Sequence, residues 1–415
     1  MKVLLVTQYY PPENVFTAAT VARGLSREGH RVKVLTGYPN YPEGKLYKGF
    51  TQRWRRHEQD YEIELLRVPL VVDHSRNSVG RSLNYISFGL SAATARKFAH
   101  GADVVYVYAT QMTPALGPWL WRLTGGAPYV LHVQDLWPDS ITGSSMIRGR
   151  IAARVVDAIL NPWLRSTYRN AAAVIGIAPT MVHTLIERGT PADRAHLVYN
   201  WAKDVEQVPS PEISSEQARS GTRLVFAGNV GDMQDMDTTI RAACLTRDDG
   251  VQLAIVGDGV ALPQARALRA EVGASNVYFQ GRVPRDQMGR IFGAADYALV
   301  TLKDLPNFRG TIPSKFQAAL SHGVPVITNV QGDLRALVEN HGLGFTADAE
   351  DVEALASAFR AAAAQSDQQR EQMAARARRT YAEMFSQASG ISAIEEILVE
   401  AARGGRRKRG IDEGS

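Results

Sequence analysis

The chain has 415 residues, 45% hydrophobic and 21% charged, the balance of a soluble globular protein with enough chain for two cores. One cysteine, Cys244, excludes an intramolecular disulfide and a cysteine-based zinc cluster and fits a reducing compartment. Of the net charge of +5, +3 lies in the tail, where Arg403, Arg406, Arg407, Lys408 and Arg409 outnumber Asp412 and Glu413, so the body is close to neutral, which argues against a dedicated nucleic-acid binder.

In chain order, the apolar start at 3–6 is too short for a leader and lacks a cleavage site, so it reads as a buried first strand. No apolar run approaches the roughly 18 residues of a membrane span, and a cytoplasmic location is expected. Further Val- and Ile-rich runs at 32–35, 63–67, 104–107, 129–133 and 173–177 read as strands covered on both faces. A helical stretch, 17–28, stops at Gly29. Strands alternating with helices predict a parallel, doubly wound sheet over 1–201.

The segment 202–221 is polar, carries Pro209 and Pro211, and reads as a linker. The rhythm then restarts at 224–227, 253–256, 277–279, 297–300 and 325–328, giving a second α/β domain over 222–384. A single long helix is expected over 365–403, its last part from about 385 packing back on the first domain, with 404–415 left as a basic tail. Ligands of such sheets sit beyond the carboxyl ends of the strands, and two facing sheets imply an interdomain cleft.

Three loops of the second half follow strands. Gly228-Asn229-Val230-Gly231 precedes a helix near Asp237; its glycines suit a phosphate at a helix start, or equally a plain turn. Asp258, between Gly257 and Gly259, suits a ligand hydroxyl, a helix cap or a simple Asp-Gly turn. Pro313-Ser314-Lys315 opens a short helix that Gly323 closes. A lysine in the first turn opposes the helix dipole unless a diphosphate binds there; the alternative is an exposed lysine without a role.

In the first half, the loop 7–14 ends in Glu13 and Asn14, and the loop 37–42 carries Asn40 and Tyr41. Such aromatic, proline-rich loops suit sugar or lipid-headgroup contacts, or are packed elbows. His132, Gln134, Asp135 and Trp137 follow the strand 129–133 and are acid/base or hydroxyl-binding candidates, a lone histidine beside a sheet being more often a core residue. The basic stretch 53–57 around Trp54 and an amphipathic basic helix over 146–169 suit an anionic membrane surface or an ordinary solvated face.

Together these segments resemble the family 4 glycosyltransferases with the two-domain GT-B fold. The supporting motifs are Tyr10-Pro11-Pro12-Glu13, Gly29-His30, the run 36–42, Asp135-Leu136-Trp137-Pro138-Asp139, Tyr199-Asn200-Trp201, 228–231, 256–259, and Pro313-Ser314-Lys315 with Gly323-Val324-Pro325. The subgroup resembled is that of L-fucosamine-type transferases of bacterial surface-polysaccharide assembly.

The resemblance implies two Rossmann-like domains, the second holding a nucleoside-diphosphate sugar, in a UDP-type donor reading, and the first holding a glycan or polyprenyl-linked acceptor. It implies retaining transfer of a hexosyl or N-acetylhexosaminyl group without a bound metal or other cofactor, in polysaccharide or glycoconjugate biosynthesis. The implied catalytic residues are Asp135, Lys315 and Arg309. The implied donor contacts are Gly228, Asn229, Val230, Gly231, Asp258, Arg282, Pro313, Ser314 and Lys315. The implied acceptor contacts are Glu13, Asn14, Asn40, Tyr41, His132, Gln134 and Trp137. A peripheral place on the inner face of a membrane is a further expectation.

The chain also departs from the family. The two glutamates common in the donor loop are replaced by Gly310 and Ala318, and the usual basic pair after the first strand of the second domain gives way to Asn229 and Gln234. Those losses favour a non-catalytic partner on the same fold. A nucleotide-sugar epimerase is a third reading, which the acceptor-type loops oppose.

Overall fold

A computed structural model describes residues 1–13, 15–73, 78–138, 150–201 and 221–412. Asn14, Asp139 and the linker 202–220 lie outside the described residues. The chain folds as two compact units, Met1–Val198 with Ile391–Ser415, and Tyr199–Gly390.

The first unit is built on eight strands: β1 (Lys2–Val6), β2 (Arg31–Gly37), β3 (Arg56–Asp60), β4 (Ile63–Val68), β5 (Val104–Ala109), β6 (Tyr129–Val133), β7 (Ala173–Gly176) and β8 (Ala195–Leu197). Their order is β3-β4-β2-β1-β5-β6-β7-β8, so the direction of winding switches between β1 and β5. Helix α1 (Phe16–Arg27) buries Ala18, Val21, Ala22 and Leu25 on one stripe, as an amphipathic helix over a sheet should. Helix α2 (Ser78–Ala93) and the helix Leu116–Leu123 pack side by side, and a long helix, Arg150–Asn170, precedes β7.

The sequence predicts a wholly parallel sheet, but β3 pairs antiparallel with β4. Its sequence, Arg-His-Glu-Gln-Asp, has no apolar run to betray it. An edge strand needs only one ladder partner, and charged residues protect its open side. The last two residues of the stretch read as a basic surface, Arg56 and His57, are therefore strand, with Arg56 2.8 Å from Glu58 and Glu58 in turn 2.8 Å from the buried Arg67.

The second unit has six parallel strands: β9 (Thr222–Ala227), β10 (Val251–Val256), β11 (Val277–Gly281), β12 (Tyr297–Val300), β13 (Val326–Thr328) and β14 (Gly344–Thr346). They run β11-β10-β9-β12-β13-β14, which puts the switch point between β9 and β12. The central strands bury Leu224, Phe226, Leu253, Ile255, Tyr297 and Leu299 in one apolar layer.

The C-terminal stretch differs from the single helix expected. A helix Asp367–Thr380, started by a capping box between Ser366 and Gln369, passes into a wider turn at Tyr381–Phe385. Phe385 is fully buried, 4.7 Å from the Tyr199 ring and 5.5 Å from that of Phe316, and Ser386 is extended, so the helix breaks there. Local helix propensity favours continuity, but burying Phe385 wins. A second helix, Gln387–Asp412, then joins the first unit, with Ile391 against Gly24 of α1 and Glu395 2.8 Å from His30. Through Asp412 the basic tail continues this helix.

Candidate functional site

In the second unit the sequence-predicted donor residues converge. After β9 the chain turns through Gly228, and after β10 through Gly257. The loops lock by backbone bonds: Gly228 N–H to Val256 O at 2.9 Å, Val230 N–H to Asp258 O at 2.9 Å, and Ala261 N–H to Val230 O at 3.0 Å. A β-carbon on Gly257 would lie 1.8 Å from Gly228 O, and one on Gly259 would lie 2.3 Å from Val230 O, so both glycines answer to close backbone approach. Val230 is buried with its N–H engaged; it builds the loop and presents nothing to a ligand.

The helix Ser314–Ser321 delivers Lys315 to that loop. Pro313 precedes it in extended conformation and offers no side-chain cap, leaving first-turn N–H groups for another acceptor. Gly323, with φ 69°, ends it, and Phe316 and Leu320 anchor its buried face. The Lys315 stem crosses Gly228, where an added β-carbon would meet Cε at 2.8 Å. Its Nζ donates to Gln234 Oε1 at 2.6 Å and Asn229 O at 3.3 Å, and stands 3.8 Å from the Phe226 ring centroid. None of these partners is an anion. Burial without a counter-ion pushes the ammonium down to about 7. A cation so held is ready for a negative ligand.

Ser314 is exposed beside Lys315, and Asn229 is exposed on the loop. Asp258 caps its own turn, accepting Gly259 N–H at 2.8 Å, while remaining exposed. Arg282 is exposed, with no hydrogen bond or ion pair among the described residues. Arg309 is not a free cation: its guanidinium is paired with both oxygens of Asp304, at 2.9 and 3.2 Å.

Sequence reasoning missed the polar floor below. Asp235, 4% exposed, caps the helix Met236–Leu245 by accepting Thr238 N–H at 3.4 Å, and it accepts Asn329 Nδ2 at 2.8 Å. Asn329, fully buried, uses Oδ1 to accept Leu302 N–H at 3.0 Å. Desolvation raises the Asp235 carboxyl. This pair ties the ends of β12 and β13 to the segment that carries Gln234. Asp235 three residues before Thr238 is a capping signal; nothing in the sequence marks Asn329.

In the first unit the acceptor candidates separate into two groups. Glu13, 4% exposed, accepts the N–H groups of Tyr10, Asn40 and Tyr41 at 3.2, 2.8 and 2.9 Å. It clamps the loops after β1 and β2 and is not free for an acceptor, contrary to expectation. Asn40 is fully buried, donating to Tyr38 O at 2.9 Å and accepting from Asn84 at 3.2 Å. Asn84 also binds Gln8 at 2.6 Å, and Gln8 binds Gln111, so a buried amide chain fixes these loops. His132 is fully buried 2.6 Å from Tyr106 Oη, and burial lowers it to about 3. It is a neutral core residue, out of reach of an acceptor.

Apart from Trp137, the second group is partly or fully exposed. Tyr41 is 39% exposed, with its ring 5.2 Å from Tyr9. Trp137, largely buried, lies 6.3 Å from Tyr85, and its carbonyl accepts a bond from Arg188. Asp135 is exposed, yet dense surroundings desolvate its carboxyl and raise it; Tyr85 and Tyr108 are raised mainly by their own burial, with a smaller push from the Asp135 charge. Gln134 is half-buried, its N–H on Ala109 O. Aromatic walls beside a carboxylate suit a sugar ring, whose apolar face stacks and whose hydroxyls donate. Tyr85 comes from α2, far along the chain, and no local motif announces it.

Two Rossmann-like units, the second bringing a lysine at a helix start onto a glycine loop, define the GT-B class of protein. The comparisons with known proteins agree. Residues 16–201 match the glycosyl transferase 4-like domain and residues 221–365 match the glycosyl transferases group 1. The "Putative colanic acid biosynthesis glycosyl transferase WcaI" of Escherichia coli K12 is 26% identical over 383 residues, covering 87% of this chain and 92% of that one. The "Probable glycosyltransferase WbjE" of Pseudomonas aeruginosa is 24% identical over 245 residues, 57% of this chain and 60% of its own length. Among solved structures, Anabaena HepE in complex with UDP and glucose superposes with a TM-score of 0.62 at 16% identity, covering 96% and 99% of the two chains. The lipopolysaccharide glycosyltransferase WaaG gives 0.61 at 17%, again over 96% and 99%. The chain belongs to the family 4 glycosyltransferases of the GT-B superfamily. Among the described residues no helix is long and apolar enough to cross a membrane.

Proposed function

We propose that this glycosyltransferase moves a sugar from a nucleoside-diphosphate donor, read as UDP-linked, to a glycan or polyprenyl-linked acceptor in bacterial polysaccharide biosynthesis, with retention at the anomeric carbon. The observation that carries the donor reading is Lys315, a half-buried ammonium with no counter-ion among the described residues, at an uncapped helix start. A diphosphate would supply the missing charge. The names of the relatives, one from colanic acid biosynthesis, support the pathway class, and the UDP bound by the HepE neighbour supports the nucleotide.

In the proposed step the bond between the anomeric carbon and the diphosphate oxygen breaks, its electron pair leaving with the diphosphate. Lys315 and the first-turn N–H groups of the helix Ser314–Ser321 stabilise that growing charge. The acceptor hydroxyl oxygen attacks from the same face, and its proton passes to a diphosphate oxygen. Tyr9, Tyr41, Tyr85 and Trp137 would hold the acceptor sugar, and Asp135 would bind one of its hydroxyls. A hexosyl or N-acetylhexosaminyl group, with a fucosamine-type sugar as the finer reading, is the one transferred. No step assigned here calls on a metal ion. The intact Lys315 site argues against a non-catalytic relative.

A panel of nucleotide sugars tests this, with transfer to a lipid-linked acceptor read by chromatography and product configuration by NMR. Transfer with retained configuration that Asp135→Asn slows, at unchanged UDP affinity, is expected. Inverted product would remove the retaining step, and no nucleotide binding at all would return the chain to a non-catalytic role.

A further inference from the structure

We propose that Arg81 binds an anionic group carried by the acceptor, so that the aromatic wall of the first unit takes an acidic sugar in preference to a neutral one. This rests on the acceptor reading of that wall given above and goes beyond it by naming a charge.

The wall is continuous. The Tyr41 ring lies 5.2 Å from Tyr9, the Tyr9 and Tyr85 side chains share a hydrogen bond, and Tyr85 lies 6.3 Å from Trp137. Arg81 stands one turn before Tyr85 on α2, a spacing of four that puts both side chains on one face. Positions 81, 84 and 88 form the stripe on which Asn84 and Phe88 are buried, so Arg81 is directed at the body of the first unit and is half-buried there. Burial raises the Tyr85 hydroxyl, while its bond to Tyr9 and the charge of Arg81 pull it partly back, as neighbours should.

The guanidinium lacks a partner. Among the described residues Arg81 makes no hydrogen bond or ion pair, and its Nε is buried without an acceptor. The other arginines behind the wall are satisfied: Arg67 has Glu58 at 2.8 Å and the carbonyls of Gly37 and Pro11 at 2.9 and 2.6 Å, and Arg23 has Asp60 at 3.0 Å. The acids close by are engaged elsewhere or stand apart. Glu13 accepts three backbone N–H groups, and Asp73 lies against Gly80. Asp135 is raised by desolvation, with no cation holding it down.

A cation partly withdrawn from water without a counter-charge costs free energy that a bound anion returns. The guanidinium fork matches the paired oxygens of a carboxylate or a phosphate. Aromatic rings for the apolar face of a sugar, with that fork one helical turn away, fit a uronic acid or a sugar phosphate. A neutral sugar would leave Arg81 unpaired.

The test compares the affinity of the full chain, with excess UDP present, for methyl galactoside, methyl galacturonoside and methyl galactoside 6-phosphate by ligand-observed NMR. At least one of the two anions is expected to bind at least about tenfold more tightly than the neutral sugar, and which one does so tells whether the fork reads a carboxylate or a phosphate. Rising salt should weaken that preference in the wild type, a measurement that needs no variant to fold. Arg81→Met should bring the preference within about twofold and leave the neutral sugar's affinity unchanged, and Arg81→Lys should restore part of it. Equal affinity for all three probes, immeasurably weak binding included, or a preference that survives Arg81→Met, would overturn the proposal. Tyr85→Ala should weaken all three probes. If it does so while the anions enjoy no preference, the wall stands and only the role of Arg81 falls; if it changes nothing, the acceptor reading falls and the proposal with it.

Discussion

Replacing Lys315 by methionine should stabilise the fold while removing the diphosphate site. In the folded chain the ammonium is pushed from its ordinary 10.5 down to about 7 by desolvation. A lysine lowered in this way destabilises the fold fully below pH 7, and the cost fades as pH rises towards 10.5, because only the unfolded chain still binds the proton in that window. At pH 7 the shift amounts to a cost of about 4 kcal/mol, and at pH 10 to about 1 kcal/mol. Methionine keeps the apolar stem over Gly228 but leaves Gln234 without its donor and forfeits the contact with Phe226, losses of about 1 kcal/mol each. The net expectation is a gain of roughly 2 kcal/mol at pH 7 that turns into a small loss near pH 10. Urea unfolding of both proteins at the two pH values measures it. A gain that does not change with pH, or a variant less stable at pH 7, would refute the claim that Lys315 is a desolvated cation.

Three further outcomes follow from the geometry. Gly257→Ala should cost at least about 3 kcal/mol, because its β-carbon would lie 1.8 Å from Gly228 O at a φ of 145°, and thermal melting reads it directly. Glu13→Gln replaces an oxygen that accepts backbone N–H groups by an amide donor, so it should destabilise by roughly 2–4 kcal/mol in urea titration, whereas a mere acceptor contact would leave stability unchanged. Arg309→Met should leave UDP affinity within about twofold, since its partner is Asp304; a tenfold loss in calorimetry would return Arg309 to the donor site.

How much of this was open to reading depends on how local each signal is. The buried parallel strands announced themselves, because a strand covered on both faces must be a continuous apolar run, as at Val104–Ala109. β3 did not, since an edge strand of charged residues has no such run. The break at Ser386 was hidden because it depends on where Phe385 is buried, in contact with Tyr199 and Phe316. At the site, Lys315 was legible from its conflict with the helix dipole. Gln234 and Asn329 became functional candidates only through folding, which brings together residues far apart in the chain. The opposite error occurred at Glu13, Asn40 and His132. Their polar side chains looked available for an acceptor, yet each completes a buried hydrogen bond, Glu13 and Asn40 between loops and His132 between β6 and β5.

Lys315 is proposed to pair with a diphosphate. Titration calorimetry with UDP at pH 8, in two buffers of different ionisation enthalpy, tests it most directly. With the free ammonium at about 7, the site is mostly deprotonated at pH 8, and a bound diphosphate restores its charge. Binding should therefore take up a substantial part of a proton per site, and the uptake should vanish in Lys315→Met together with at least about a tenfold loss of affinity. UDP binding without proton uptake, or with equal affinity in the variant, would contradict the account.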